Sequence, residues 1–93
     1  MLTVHKYTIS QGNFKVRLPL GAKIISVHTQ DNVICIWAEV ETLASTTEER
    51  SFEVFGTGHR MPETQYGQHR TFLGTVFFPE LVFHVYELIT EEK

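Results

Sequence analysis

Five consecutive residues, Gly56, Thr57, Gly58, His59 and Arg60, gather most of what this chain offers for chemistry: two permissive glycines, a hydroxyl, an imidazole and a fixed positive charge. A glycine-rich turn can aim successive backbone N–H groups at one anion, and a histidine and an arginine beside it add a donor and a charge. This turn does not open a helix, so it is neither a dinucleotide fingerprint nor a P-loop. It reads first as a conformational corner that ends a strand, and second as a contact for a phosphate, a carboxylate or a partner.

The remaining reactive groups are scattered. His5, His28, His59, His69 and His84 show none of the short paired spacings of zinc motifs, and one cysteine cannot complete such a set, so no metal is expected. Cys35 lies within the apolar run Val33-Ile34-Cys35-Ile36-Trp37, where a thiol is buried and inert. Thr57 beside His59 pairs a hydroxyl with a base only on paper, and neither pairing supplies the nucleophile, base and orienter that catalysis requires. No catalytic residue and no cofactor is therefore assigned. Trp37, Tyr86 and Phe55 each occupy the strand face opposite the more aliphatic one, with His84 beside Tyr86. They either fill the second half of the core or form a patch that pairs two copies or stacks a base or a peptide.

The elements that hold these groups are strands. Leu2 to Ile9 is rich in β-branched and aromatic residues, Phe14, Val16 and Leu18 alternate with Lys15 and Arg17, and Pro19-Leu20-Gly21 ends that second strand. Ser10-Gln11-Gly12-Asn13 supplies the intervening turn. Ala22 to Gln30 and Val33 to Val40 flank Asp31-Asn32, a pair that tolerates the positive φ of a type I′ hairpin. The second of these strands is apolar on both faces at its centre, which predicts a central strand covered by a sheet on one side and by a partner subunit on the other. Glu41 to Arg50 reads as a surface loop with a short helix over Thr46 to Arg50.

Ser51 to Phe55 then runs into the corner, and Arg60 to Arg70 shows no periodicity, as expected of a functional or mobile loop. Thr71 to Phe78 predicts a strand with Phe72, Val76 and Phe78 on one side, Leu73 and Phe77 on the other, and a bulge or a close backbone approach at Gly74. Pro79-Glu80 turns into Leu81 to Leu88, with Leu81, Phe83 and Val85 facing away from Val82, His84, Tyr86 and Leu88; Thr90 to Lys93 is a polar tail expected to fray. Seven short strands with turns between them predict an all-β chain, a small antiparallel β-sandwich or flattened barrel with little or no helix.

At 93 residues the chain is one domain, 1–93. Its seven Phe, three Tyr and one Trp suffice for a compact core, and apolar surface left over on so small a body favours a homodimer. A net charge of -3 offers no basic stripe for a phosphate backbone, so no nucleic acid is expected as partner. Neither a secretory leader nor an apolar stretch of membrane-spanning length is present, so the sequence reads as soluble and cytoplasmic, with no membrane partner.

Several short stretches, in order along most of the chain, carry a resemblance. They are His5-Lys6-Tyr7, Leu18-Pro19-Leu20-Gly21-Ala22-Lys23-Ile24 followed by Ser26-Val27, Cys35-Ile36-Trp37-Ala38, Phe55-Gly56-Thr57-Gly58-His59, Leu73-Gly74-Thr75 and Val82-Phe83-His84-Val85-Tyr86-Glu87. With them the chain resembles a family of small uncharacterised proteins of bacteriophage and prophage genomes. The resemblance implies a phage origin and action in the host cytoplasm, and carries no activity or cofactor. The resulting expectation is a non-enzymatic phage accessory protein that binds a host protein through its aromatic face and the loop after the corner, with counter-defence as one purpose. The alternative is a protein that sequesters a nucleotide or another small anion, with Gly56 to Arg60 on the phosphate and Trp37 or Tyr86 on the base.

Overall fold

A computed structural model describes residues 1–9 and 14–91, and the expectations for Ser10 to Asn13 and for Glu92 and Lys93 lie outside them. Seven antiparallel-paired strands, with no helix among the described residues, form two sheets: β1 (Leu2–Ile9), β2 (Lys15–Pro19), β3 (Lys23–Gln30), β4 (Val33–Glu41), β5 (Thr47–Gly56), β6 (Gln68–Phe78) and β7 (Leu81–Thr90). The order is β1-β4-β3 in one sheet and β2-β5-β7-β6 in the other, a β-sandwich. The expected strand count and architecture are met.

Turn chemistry explains the two hairpins. Asp31 and Asn32 have φ of 53° and 63°, the paired positive values of a type I′ turn, and they join β3 to β4 as the sequence predicts. Pro79 presets the first turn position between β6 and β7, and Glu80 takes φ 73° at the second, the pattern of a type II turn.

The core forms where the inward faces meet. Ile36, Ala38 and Val40 of β4, with Ile9 and Val27 on its neighbours, pack toward Leu18, Phe52, Val76 and Val85 of the other sheet. Phe14 and Val16 pack against this cluster and Leu18 lies within it, as their alternation predicts. β4 is the central strand of its sheet, and Cys35 is buried on its outer side, in register between Thr8 and His28.

Beyond the strand ends, where β6 already begins at Gln68 and Thr90 pairs with it in β7 instead of fraying, two expectations need correction. The predicted loop and short helix before Arg50 are the first half of β5, whose Thr47 to Ser51 pair with β2. The apolar alternation fails there because Glu48 and Arg50 occupy inward positions. Arg50 meets buried Glu87 through two hydrogen bonds, Nε to Oε2 at 2.6 Å and Nη2 to Oε1 at 2.9 Å, and its Nη1 donates to the Ala22 carbonyl. Glu48 lies 4.0 Å from the guanidinium and accepts the Gly21 N–H at 3.0 Å, which ties the β2–β3 turn to the pair.

The hydrogen bonds that Arg50 donates to Glu87 raise its pKa, against the opposing effect of burial and with added attraction from the Glu87 and Glu48 charges. A raised folded-state value gives stability that is complete below the unfolded arginine pKa and lost only as pH climbs through the folded one. Arg50 therefore stays charged at any pH at which proteins are ordinarily handled.

The second correction concerns β6. Its register with β7 shifts between Phe72 and Gly74, so the bulge expected at Gly74 is present. The extra residue reverses the phase of the strand. Phe72 lies outward beside Tyr86, whereas Val76 lies inward and buried, so these two residues do not share a face. Gly74 also brings β6 over β3, because a Cβ there would sit 3.5 Å from that of Val27.

Candidate functional site

β5 and β6 run parallel with β7 between them, so the connection over residues 57–67 must cross β7. Arg70 shows where. Its guanidinium lies 5.1 Å from the centre of the Phe55 ring, its Nε donates to Glu53 Oε1 at 2.6 Å, and its Nη2 donates to the Pro62 carbonyl at 2.5 Å. Glu53 and Phe55 alternate with buried Phe52, so they face outward, and the connection is strapped across the outer face of the four-stranded sheet. At its far end the Gly67 carbonyl accepts the Glu91 N–H.

Beneath and beside this strap lies an aromatic cluster. Tyr86 meets Phe55 and Phe72 edge-on at centroid distances of 5.9 and 5.3 Å, a favoured ring geometry. Phe72 and Phe77 remain 55% and 68% exposed, a large apolar investment at the surface for so small a protein. His84, two residues before Tyr86, is held between two threonines. Thr57 Oγ1 lies 2.8 Å from its Nε2 and Thr75 Oγ1 lies 3.1 Å from its Nδ1.

The corner itself is a β-turn. The His59 N–H donates to the Gly56 carbonyl at 3.0 Å, and Gly58 takes φ +85° at the third position, as type II turns require. Thr57 extends the β5–β7 ladder by donating to the Val82 carbonyl at 3.2 Å. Two of the backbone donors that an anion nest needs are thus already committed. The imidazole of His59 occupies the space of a Gly56 side chain, since a Cβ there would stand 2.7 Å from Nδ1. Gly56 continues the inward series of Phe52 and Val54, so His59 turns away from the outward Thr57, and the hydroxyl pairs with His84 instead.

Gly58→Ala tests the turn without a steric complication, because nothing lies within 4 Å of the added Cβ. The left-handed backbone should cost about 1–2 kcal/mol. Gly58→Asn should recover part of it, as read from urea unfolding midpoints.

Of the residues singled out from sequence, Thr57, His84 and Tyr86 come together on the outer face of the four-stranded sheet. Gly56, Gly58 and His59 form the turn beside them, and Arg60 lies exposed at the start of the strap. Trp37 does not join them. It belongs to β4 in the other sheet, on the far side of the sandwich, where its ring meets His28 edge-on at 6.2 Å. Phe72, Thr75 and Arg70 were not anticipated as site residues, and the Gly74 bulge is what brings the first two into place. The cleft beside the Arg50–Glu87 pair is acidic, and its cation is already committed within the fold. No group of three or more metal-ligating side chains occurs among the described residues.

A family of domains of unknown function (DUF7352) matches residues 1–93. The chain belongs to that family. Neither a curated protein nor a solved structure matches it. The whole-chain match agrees with the expectation of an uncharacterised family.

Proposed function

We propose that this protein is a non-enzymatic binding protein whose outer aromatic face, Phe72, Phe77, Tyr86 and Phe55 with Arg70, docks another protein. The observation that supports this reading is the exposure of Phe72, which packs on Tyr86 in one cluster with Phe55 and an arginine held by Glu53 and Pro62, with Phe77 exposed farther along the same face. Exposed aromatics and arginine on a preorganised surface are the chemistry from which interface hot spots are made. Rigid anchors also lose little side-chain entropy on docking.

In its specific form, motivated by the resemblance to phage and prophage proteins, the partner is a host protein met in the host cytoplasm, and the outcome is counter-defence. A homodimer through the same face is the other occupant. The anion-sequestering alternative has weaker support, because the Thr57 and His59 N–H groups are committed within the turn and Trp37 stands on the opposite sheet, which leaves Tyr86 for the base.

The test compares wild type with a Phe72→Glu/Phe77→Glu variant. Sedimentation across a concentration series reports self-association, and affinity capture followed by titration with the purified partner reports heterologous binding. Loss of two hot-spot aromatics should weaken the complex by at least about 30-fold. Unchanged affinity in the variant would reject this face, and a dimer that the substitutions dissociate would make the partner a second copy.

A further inference from the structure

The Thr57–His84–Thr75 array is not used by the docking reading, and it has the form of an activated hydroxyl. Thr57 is exposed, its Oγ1 lies 2.8 Å from the ring nitrogen Nε2, and the other ring nitrogen is tethered to a second residue at 3.1 Å. Nucleophile, base and orienter each on a separate strand or turn is the arrangement that general-base activation needs.

We propose that Thr57 is an acyl-accepting hydroxyl, with His84 as its base and Thr75 as the positioning residue. The ring carries its proton on Nδ1 and donates it to Thr75 Oγ1, which leaves the Nε2 lone pair facing Thr57. Oγ1 attacks the carbonyl carbon of an activated ester or thioester, and its proton passes to Nε2. The addition forms a tetrahedral oxyanion. Its collapse breaks the bond to the leaving oxygen or sulfur, which takes the proton from Nε2. One ester and one hydroxyl become one acyl-threonine and one alcohol or thiol, with no oxidant or cofactor. The product is a covalently modified protein, so the step is separate from the binding reading.

The experiment uses the full chain with p-nitrophenyl acetate, followed by intact mass and peptide mapping. One acetyl group should appear on Thr57 and be absent in Thr57→Val, while Thr57→Ser is labelled at least as fast. His84→Gln keeps a hydrogen-bonding side chain but no base, and should slow labelling about 100-fold with the thermal midpoint little changed. Acetylation confined to lysines and histidines in wild type overturns the proposal, as does equal labelling in His84→Gln. The wild-type mapping alone decides the question if a variant fails to fold.

Discussion

Arg50→Ala is expected to cost about 3–5 kcal/mol, the usual penalty for stranding the other half of a buried ion pair. For a domain of this size that lowers Tm by roughly 12 °C or more. Glu87 is only 7% exposed, and the substitution removes both hydrogen bonds it receives from the guanidinium. The same change frees the Ala22 carbonyl and loosens the turn that Glu48 holds through the Gly21 N–H. Differential scanning calorimetry of Arg50→Ala against Arg50→Met/Glu87→Leu separates two contributions. The double variant should regain most of the loss, because apolar side chains of similar volume often replace a buried pair without penalty. Failure to regain it would assign the loss to the Ala22 contact and the turn.

The second large effect is expected at Ile36. Its side chain is fully buried at the centre of the three-stranded sheet, flanked in register by Tyr7 and Val27. Ile36→Ala should destabilise by about 2–5 kcal/mol through lost transfer energy and the cavity left behind. Ile36→Val should cost only about 0.5–1.5 kcal/mol, and the ratio of the two, from denaturant titration, reports how far this sheet can collapse onto the other. Equal effects would mean that the β1-β4-β3 layer carries little of the core.

What could be read in advance followed from local rules. Asp31-Asn32 between two apolar runs encodes its own turn, and Phe14, Val16 and Leu18 declare their inward face by alternation. Both signals are complete within about ten residues. What could not be read depended on partners distant in the chain. Glu48 and Arg50 look like a solvated segment until Glu87, on a different strand, makes their inward placement intelligible. The bulge between Phe72 and Gly74 inverts the phase of one strand, and no alternation pattern announces which neighbour Phe72 will meet.

The candidate site divides along the same line. Alternation correctly set His84 and Tyr86 on one face of β7, yet it says nothing about which sheet a strand joins, and so it merged Trp37 with residues on the opposite side of the sandwich. Proximity in sequence paired Thr57 with His59, whereas the type II turn sends their side chains apart and hands the hydroxyl to His84, 27 positions away. Arg70 carried no motif at all. Its importance comes from reaching Phe55, Glu53 and Pro62 at once.

The place of β7 in its sheet governs how the molecule can be made. Its residues come last among the seven strands, and they fill the slot between two strands already synthesised. Until they emerge from the ribosome, β5 and β6 have no partner between them, and the strap has nothing to cross. Closure of the four-stranded sheet therefore waits for β7, and the β5–β7 pairing it needs is distant in sequence, the kind of contact that slows folding. During that interval both waiting strands expose unpaired edges, the state in which β chains aggregate or recruit chaperones. A chain truncated after Phe78 should be protease-sensitive over β6, whose one sheet neighbour is β7.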